Sequence, residues 1–293
     1  MTTPDRPDAP TTIVAIVAEA VTRLEAAGLP HTEARQDASV LARHLLGWTL
    51  EDWLAHQRDE APAGFAEAFA AAIARRAARE PVAYITGERE FYWRPFTVTP
   101  AVLIPRPETE LIIDAAIAQS VAHPTLRIID IGTGSGCIAV TLAAELPHAE
   151  VIATDISADA LLVAQANARR HAVAERVSFR RGAYFGGLVN AVELIVSNPP
   201  YVPERDRPTL APEVGAHEPS MALFGGTDGL DCIRPLISMA PDYLVHGGAL
   251  IMEFGFGQAD HIKQLIACQP ALRLQSILSD LQGIPRVAVA NRV

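Results

Sequence analysis

The stretch that decides the fold is "LRIIDIGTGSGCIAVTLAAEL", residues 126–146. It opens with an apolar run that predicts a buried strand and closes with an apolar run of helical length. Between them, glycines at positions 132, 134 and 136 allow a tight turn that a ligand can approach without meeting a Cβ. The helix that follows presents unpaired backbone amides at its N-terminus. The stretch therefore predicts a strand, a ligand-binding turn and a helix in direct succession.

Short apolar runs alternate with helical runs throughout residues 107–293. Strands are predicted at "LRIIDIG", "EVIATD", "RVSFRR", "VELIVSN" and "GALIMEF", and helices at "CIAVTLAAEL", "SADALLVAQANARRHA" and "LDCIRPLISMAPDYL". This alternation is typical of a mostly parallel sheet with helices on both faces. The last two predicted strands, "RLQSILSDL" and "PRVAVANRV", have no helix between them and are expected to form an antiparallel hairpin. The predicted fold class is an α/β, Rossmann-like sheet of seven strands.

The chain before this region has a different texture. Residues 1–80 carry apolar residues at helical spacing and predict three helices, over residues 13–24, 33–47 and 63–80. Residues 81–106 are rich in aromatic, β-branched and proline residues, which is typical of loop and hairpin. We therefore expect a small all-α domain (1–80), a hairpin linker (81–106) and an α/β domain (107–293).

Composition narrows the function classes. Of 293 residues, 49% are hydrophobic and 20% charged, which indicates a packed globular protein, and the net charge of −10 argues against broad binding to a nucleic-acid backbone. The cysteines Cys137, Cys232 and Cys268 form neither a CxxC pair nor a metal-ligand spacing. No apolar run approaches the ~20 residues needed to cross a bilayer. A soluble, cytoplasmic protein without a metal is expected.

The position of an acidic residue after the glycine-rich turn indicates which kind of ligand the turn binds. Asp155 ends the second strand, 19 residues past Gly136, where a carboxylate accepts hydrogen bonds from ribose hydroxyls; it would equally suit a helix N-cap. The dinucleotide fingerprint GxGxxG needs glycine at position 137, which is Cys137 here. The GxGxG spacing after Asp130 instead resembles the S-adenosylmethionine (SAM) loop of class I methyltransferases. Tyr184, after the third strand, either stacks on adenine or fills the core.

The fourth strand, "VELIVSN", ends in the turn Asn198-Pro199-Pro200-Tyr201. A planar NH2 group offers two donors, and the Asn198 side-chain oxygen and the Pro199 carbonyl are two acceptors for them. The prolines stiffen the turn, and the Tyr201 ring lies against the planar group. Ligands of such sheets sit outside the carboxyl ends of the strands. The turn therefore predicts a site that aims an amide or exocyclic amine nitrogen at an activated methyl group.

These motifs together resemble the HemK-type N5-glutamine methyltransferases, which methylate the glutamine of the Gly-Gly-Gln tripeptide in class I peptide chain release factors. The resemblance covers essentially the whole chain and rests on "EPVAYITGEREFYWRPFTVTPAVLIPRPETE", "DIGTGSG", "SNPPYV" and "EPSMALFGGTDGLD". It implies a helical domain that helps hold the release factor, a seven-stranded methyltransferase domain and SAM as cofactor. The NPPY turn is shared with DNA adenine N6-methyltransferases, so that turn alone does not decide the substrate.

The resemblance also implies residue roles. It assigns the cofactor to Gly132, Thr133, Gly134, Ser135, Gly136, Asp155, Tyr184 and Asn198. It assigns the substrate glutamine to Asn198, Pro199, Pro200 and Tyr201, with Asn198, Pro199 and Tyr201 catalytic. Residues 106–109 are expected to line the cofactor side of the cleft or to begin a helix. The chain departs from the family at Ala183, where an acidic residue is usual, and at Tyr184, where some members carry tryptophan.

Three other functions remain open on the sequence: a ribosomal-protein glutamine methyltransferase, a DNA adenine methyltransferase, and a SAM-binding module without catalysis. The "LIPRPETE" stretch favours release factors as substrates, and the acidic charge disfavours DNA. The expected partner is a class I release factor, bound by a monomer without nucleic acid or membrane.

Overall fold

The computed structural model describes residues 12–122, 126–187 and 190–293. The chain divides into two compact units, Met1–Gly87 and Glu88–Val293. Within the described residues, no helix combines the length and the apolar character required to span a membrane.

The first unit is helical. Its helices are α1 (Ile13–Ala26), α2 (His31–Leu46), α3 (Leu50–His56), α4 (Phe65–Ala77) and α5 (Val82–Thr86). Apolar side chains at helical spacing, such as Val17 and Leu24 of α1, are buried in one core with Phe69 and Ile73 of α4. The three helices predicted from the sequence correspond to α1, α2 and α4.

Two short helices of this unit differ from the sequence prediction. Helix α3 begins at a capping box in which the Asp52 amide donates to the Thr49 hydroxyl (3.2 Å) and the Thr49 amide donates to the Asp52 carboxylate (2.9 Å). Helix α5 lies in the segment interpreted as loop and hairpin, between Pro81 and Gly87. Helices of seven and five residues are too short for a clear apolar period, so local capping and packing decide them.

The second unit opens with a two-stranded hairpin, β1 (Glu88–Phe91) and β2 (Arg94–Thr97), as the aromatic segment predicted. A seven-stranded sheet follows, formed by β3 (Leu126–Ile131), β4 (Ala149–Asp155), β5 (Val177–Arg181), β6 (Val192–Ser197), β7 (Leu244–Glu253), β8 (Leu272–Ser279) and β9 (Pro285–Arg292). The helices of this unit are α6 (Glu110–Ser120), α7 (Cys137–Glu145), α8 (Ala158–Arg170), α9 (Pro212–His217), α10 (Ser220–Leu223), α11 (Ile233–Tyr243) and α12 (Ala259–Ala267).

The strand order is β5-β4-β3-β6-β7-β9-β8. Strands β3 to β7 pair in parallel, and β9 pairs antiparallel with both β7 and β8. The predicted seven-stranded, mostly parallel sheet with a terminal antiparallel hairpin is therefore confirmed. One face is covered by α6, α7 and α8, and the other by α11 and α12.

The order of the strands determines where in the sheet the site lies. Strand β3 lies between β4 and β6, so the connections from β3 and β6 leave the sheet in opposite directions at this switch point. Every residue of β6 is buried, which fixes its register on both faces. The turns after β3, β4, β6 and β7 consequently emerge at one edge of the sheet.

Candidate active site

The glycine-rich turn is held by backbone hydrogen bonds from the neighbouring strand. The amides of Gly132 and Thr133 both donate to the Thr154 carbonyl at 2.9 Å. Gly132, Gly134 and Gly136 all have positive φ, at 73°, 54° and 80°, a region that disfavours residues with a Cβ. The predicted turn is therefore present and glycine is required for its shape.

The glycines of this turn have different surroundings. A Cβ added at Gly136 would lie 2.9 Å from the Ala164 Cβ of α8, whereas one at Gly132 or Gly134 would meet nothing within 4 Å. Gly136 thus allows α7 to pack closely on α8. Gly132 and Gly134 leave open space in which a ligand can approach the backbone.

Asp155 closes the turn from the end of β4. Its Oδ2 accepts from the Gly134 amide and its Oδ1 from the Ser157 amide, both at 2.9 Å. The N-cap of α8 is Ser157, whose hydroxyl accepts from the Ala160 amide at 3.1 Å, so the alternative N-cap role of Asp155 is wrong. Each carboxylate oxygen keeps a further lone pair, which fits the predicted ribose hydroxyls.

Asp130, at the end of β3, was not among the predicted site residues. It is buried, and its Oδ2 accepts from the Thr133 hydroxyl (2.6 Å) and the Ala139 amide (3.2 Å). Its Oδ1 is buried without a partner, and burial raises the pKa of Asp130 to about 7. An unpaired buried acceptor next to the glycine turn fits a cofactor that carries cationic groups, as SAM does.

Two predicted cofactor residues use their side chains internally. Thr133 donates its hydroxyl to Asp130, and both Thr133 and Ser135 are buried. Only their backbone is left for a ligand at this turn. The sequence prediction did not separate the two contributions.

Asn167 of α8 is a structural support that sequence reasoning missed. Its Oδ1 accepts from the Thr97 amide (2.8 Å), and its Nδ2 donates to the carbonyls of Thr97 (2.9 Å) and Ser135 (2.8 Å). One buried amide therefore joins strand β2 to the glycine turn. Neither neighbour is close to it in sequence, so no local motif reveals this role.

Tyr184 follows β5. Thr154 connects it to the glycine-rich turn, because Thr154 is hydrogen-bonded both to Tyr184 and to the amides of Gly132 and Thr133. The Tyr184 carbonyl accepts from the Thr154 hydroxyl at 2.6 Å, and the Tyr184 φ of 48° is unusual for an aromatic residue. The ring is half-buried, and burial raises the pKa of its phenol. The ring packs partly against the core cluster that contains the neighbouring Phe185, which is stacked on Tyr243 with ring centroids 3.9 Å apart. The adenine contact of Tyr184 stays a prediction.

The NPPY turn begins immediately after β6 and carries a chain of hydrogen bonds. Asn198 Nδ2 donates to Thr109 Oγ1 (3.0 Å), and Thr109 Oγ1 donates to Glu253 Oε2 (2.6 Å). The Tyr201 hydroxyl donates to the other oxygen, Glu253 Oε1 (2.9 Å). We refer to these four residues as the Asn198–Glu253 network. One carboxylate at the end of β7 thereby holds both ends of the turn.

Two of the four residues of this network, Glu253 and Thr109, are buried. Burial raises the pKa of Glu253, the carboxylate of Glu108 adds to that rise, and the bonds from Thr109 and Tyr201 oppose it. Burial also raises the pKa of the Tyr201 phenol, so it stays a donor to Glu253 at neutral pH.

Residues outside the Asn198–Glu253 network hold the backbone of the NPPY turn. Gln258 Nε2 donates to the Tyr201 carbonyl at 3.0 Å, and a Cβ at Gly229 would lie 2.2 Å from that same carbonyl oxygen. Among the described residues, no donor reaches Asn198 Oδ1 or the Pro199 carbonyl. These two oxygens are the acceptors that the sequence predicted for an incoming NH2 group.

Comparisons with known proteins identify the family of this chain. The family model for the PrmC N-terminal domain matches residues 15–87, and the model for the methyltransferase small domain matches residues 109–214. A release factor glutamine methyltransferase from Cereibacter sphaeroides is 44% identical over 272 residues, which cover 93% of this chain and 95% of the relative. This chain belongs to the release factor glutamine methyltransferase family.

Other relatives of the family give the same picture. The release factor glutamine methyltransferase of Moorella thermoacetica is 42% identical over 279 residues, covering 94% of this chain and 96% of the relative. Among solved structures, the hMettl16 catalytic domain in complex with the MAT2A 3'UTR hairpin 6 has a TM-score of 0.56 at 18% identity, covering 74% of this chain and 81% of that one. At that identity the likeness shows the shared fold alone, and it supports the methyltransferase sheet described above.

The "LIPRPETE" segment contacts both the NPPY turn and the chain that follows it. Arg106 donates to Glu218 Oε1 at 2.5 Å, and the Ile104 amide donates to Glu218 Oε2 at 3.2 Å. A short 3₁₀ turn, Pro107–Thr109, leads into α6, and this brings Thr109 to Asn198. The segment does begin a helix, and its contact is with the asparagine of the NPPY turn as well as with the chain that follows it.

The described residues contain no cluster of histidine, cysteine, aspartate and glutamate that could hold a metal ion. The cysteine at the glycine turn, Cys137, is buried, and burial raises the pKa of its thiol to about 12. A thiol with that pKa is a poor nucleophile at neutral pH.

Proposed function

We propose that this chain transfers a methyl group from SAM to the side-chain amide nitrogen of the glutamine in the Gly-Gly-Gln tripeptide of class I peptide chain release factors. Membership of the family supports the reaction, because the named relatives match over nearly their whole length. The observation that carries the proposal is the pair of unpaired acceptors, Asn198 Oδ1 and the Pro199 carbonyl, at the carboxyl end of β6.

The residues around the glycine turn fit SAM. When bound, SAM supplies a methyl group attached to a cationic sulfur. The open backbone of Gly132 and Gly134 accommodates the cofactor, and the free lone pairs of Asp155 accept its ribose hydroxyls. We assign the adenine to the half-buried ring of Tyr184. The unpaired Oδ1 of Asp130 lies beside the same turn, and a bound cation would favour the ionised form of this carboxyl.

The NPPY turn prepares the nucleophile. An amide nitrogen is a poor nucleophile because its lone pair is delocalised into the carbonyl. Asn198 Oδ1 and the Pro199 carbonyl each accept one N–H of the glutamine, which favours a tetrahedral nitrogen and frees the lone pair. Pro200 stiffens the turn, and the Tyr201 ring packs against the planar amide. Such positioning supplies up to about 7–11 kcal/mol of the barrier reduction.

The bonds and charges of the proposed transfer balance without a metal or a covalent enzyme intermediate. The nitrogen–carbon bond forms as the carbon–sulfur bond breaks, the sulfonium becomes a neutral thioether, and the amide nitrogen loses one proton to water. We also infer that one protomer is sufficient, because all groups of the site come from one unit of one chain. We place the reaction in the cytoplasm, where release factors act, and expect no direct contact with nucleic acid.

The test is transfer of labelled methyl from SAM to a purified release factor. The control is the same release factor with the tripeptide glutamine replaced by alanine. We expect label on the wild-type factor alone, and loss of label when the enzyme carries Asn198→Ala. Label on a ribosomal protein or on DNA instead of the release factor would overturn the substrate, and full turnover by Asn198→Ala would overturn the role of the turn.

A further inference from the structure

We propose that Thr109 and Glu253 are positioning residues which set the direction of the Asn198 side-chain amide, so that its oxygen faces the substrate. This inference rests on the proposed function, because it explains how the acceptor for the glutamine N–H is kept in place. It adds two residues that lie far from the NPPY turn in sequence, by 89 positions for Thr109 and 52 for Glu253.

The number of protons in the network fixes the direction of its hydrogen bonds. Both oxygens of Glu253 are acceptors in the structure, Oε2 from the Thr109 hydroxyl and Oε1 from the Tyr201 hydroxyl, and a carboxylate that accepts at both oxygens donates nothing. Thr109, at 2.6 Å from Glu253 Oε2, must therefore use its one hydroxyl proton on Glu253. The Thr109 oxygen is left with lone pairs only, so its partner at 3.0 Å has to be a donor.

That requirement decides which end of the Asn198 amide faces Thr109. The NH2 end donates to Thr109, and the carbonyl end of the amide is turned away from it. If the amide were reversed, two acceptors would face each other at 3.0 Å and an NH2 group would meet the NH2 group of the substrate. Glu253 thus fixes the polarity of the site through Thr109, without touching the reacting atoms.

The same carboxylate restrains the far end of the turn. Tyr201 donates to Glu253 Oε1 at 2.9 Å, so the two oxygens of Glu253 have one donor each. The groups facing this carboxylate are the two hydroxyls and the charges of Glu108 and Arg286. A glutamine at position 253 keeps the shape of the side chain but offers one accepting and one donating end. One of the two hydroxyls must then lose its acceptor.

A compensating pair of substitutions tests the direction directly. Asn198→Asp leaves a carboxylate on each side of the single Thr109 proton, and methyl transfer should fall by about 100-fold or more. In the double variant Asn198→Asp/Glu253→Gln, the introduced amide donates to Thr109 and accepts from Tyr201. Thr109 then donates to the introduced carboxylate, whose second oxygen faces the substrate as an acceptor.

Glu253→Gln therefore has opposite effects in the two backgrounds. It should lower kcat by about tenfold in the wild-type enzyme and raise kcat by about tenfold in Asn198→Asp, as expected for losing or gaining one buried hydrogen bond. A residue that merely stabilises the fold would lower activity in both backgrounds. If the double variant is no more active than Asn198→Asp, the inference is wrong.

A second series tests Thr109 alone. Thr109→Val removes the hydroxyl at nearly constant shape, and Thr109→Ser keeps it. At saturating SAM we expect Thr109→Val to lose about tenfold to 100-fold in kcat, Thr109→Ser to stay within a few-fold of wild type, and both to bind SAM with unchanged affinity. Equal kcat values for the valine and serine variants would contradict the role of the hydroxyl.

These outcomes separate the inference from the proposed function. Wild-type enzyme that fails to label the release factor refutes the function itself. Wild-type enzyme that labels it, with Thr109→Val equally active, leaves the function standing and refutes the positioning role. Thermal melts of every variant show whether a loss of kcat follows from unfolding.

Discussion

The close contact between Gly136 and α8 gives the sharpest stability prediction for the catalytic unit. Gly136 has a φ of 80°, and a Cβ placed on it lies 2.9 Å from the Cβ and 3.1 Å from the Cα of Ala164. Ordinary carbon–carbon contacts are about 3.5–4.0 Å. Ala164 is buried within α8, so its backbone cannot simply move aside. Gly136→Ala therefore forces α7 and α8 apart.

Gly247 supplies a matched control. Its φ is 79°, and a Cβ placed there meets nothing within 4 Å. Gly247→Ala carries only the cost of a left-handed backbone, about 1–2 kcal/mol. Gly136→Ala carries that cost and an overpacking cost of about 1–3 kcal/mol. The difference between the two variants isolates the helix–helix contact.

The assay is thermal and urea unfolding of both variants beside the wild type. In a domain of this size, 1 kcal/mol corresponds to roughly 2–4 °C in Tm. We expect Gly136→Ala to melt about 2–12 °C below Gly247→Ala, with a lower urea midpoint at the same m-value. If the two variants unfold together, α7 and α8 accommodate the methyl group and the proposed close packing is wrong.

Three further predictions concern the cofactor side. Asp155→Asn should weaken SAM binding by about 10–100-fold, because hydrogen bonds to a charged acceptor are lost; an unchanged dissociation constant in calorimetry contradicts the ribose role. Asn167→Ala should lower both SAM affinity and the free energy of unfolding, the latter by about 1–3 kcal/mol, since the Ser135 carbonyl loses its donor; wild-type values for both would show that the turn holds itself. Burial raises the Asp130 pKa to about 7 from 3.8, so the folded apoprotein binds a proton that the unfolded chain lacks between these values, and its stability falls as pH rises through that window. A cationic cofactor favours the ionised carboxylate, so SAM affinity should rise over the same window, and Asp130→Asn should flatten both trends in titrations followed by calorimetry and melting.

Much of the sheet could be predicted because its central strands, such as β3 and β6, are short apolar runs followed by turn residues. The strands and the terminal hairpin lie where the periodicity placed them, although β7 begins at Leu244, before the predicted "GALIMEF". The short helices α3, α5, α9 and α10 and the nine-residue α12 were missed. Such helices depend on caps and on packing against the rest of the unit, and a local apolar period carries little information about either.

Some residues of the candidate site could be predicted from the sequence and others could not. Several candidate site residues stand in short local motifs at strand ends: Gly132, Gly134, Asp155 and Asn198. Such motifs are visible in the sequence because a strand end and the turn directly after it contact the ligand together. Asn167 and the two positioning residues act through pairs separated by 70, 89 and 144 positions. Their role depends on the strand order that brings these segments together, which periodicity does not determine.

This division has a physical origin in the reaction. Methyl transfer from a sulfonium needs no acid, base or nucleophile from the protein, so the site consists of acceptors held in fixed directions. The direction of an amide such as Asn198 is set by the proton count of its partners, and Glu253 supplies a carboxylate that removes the ambiguity. Since β7 is the next strand after β6 in the sheet, the end of β7 is where a buried carboxylate can reach both ends of the turn. The strand order thus accounts for a residue that the NPPY motif requires but does not contain.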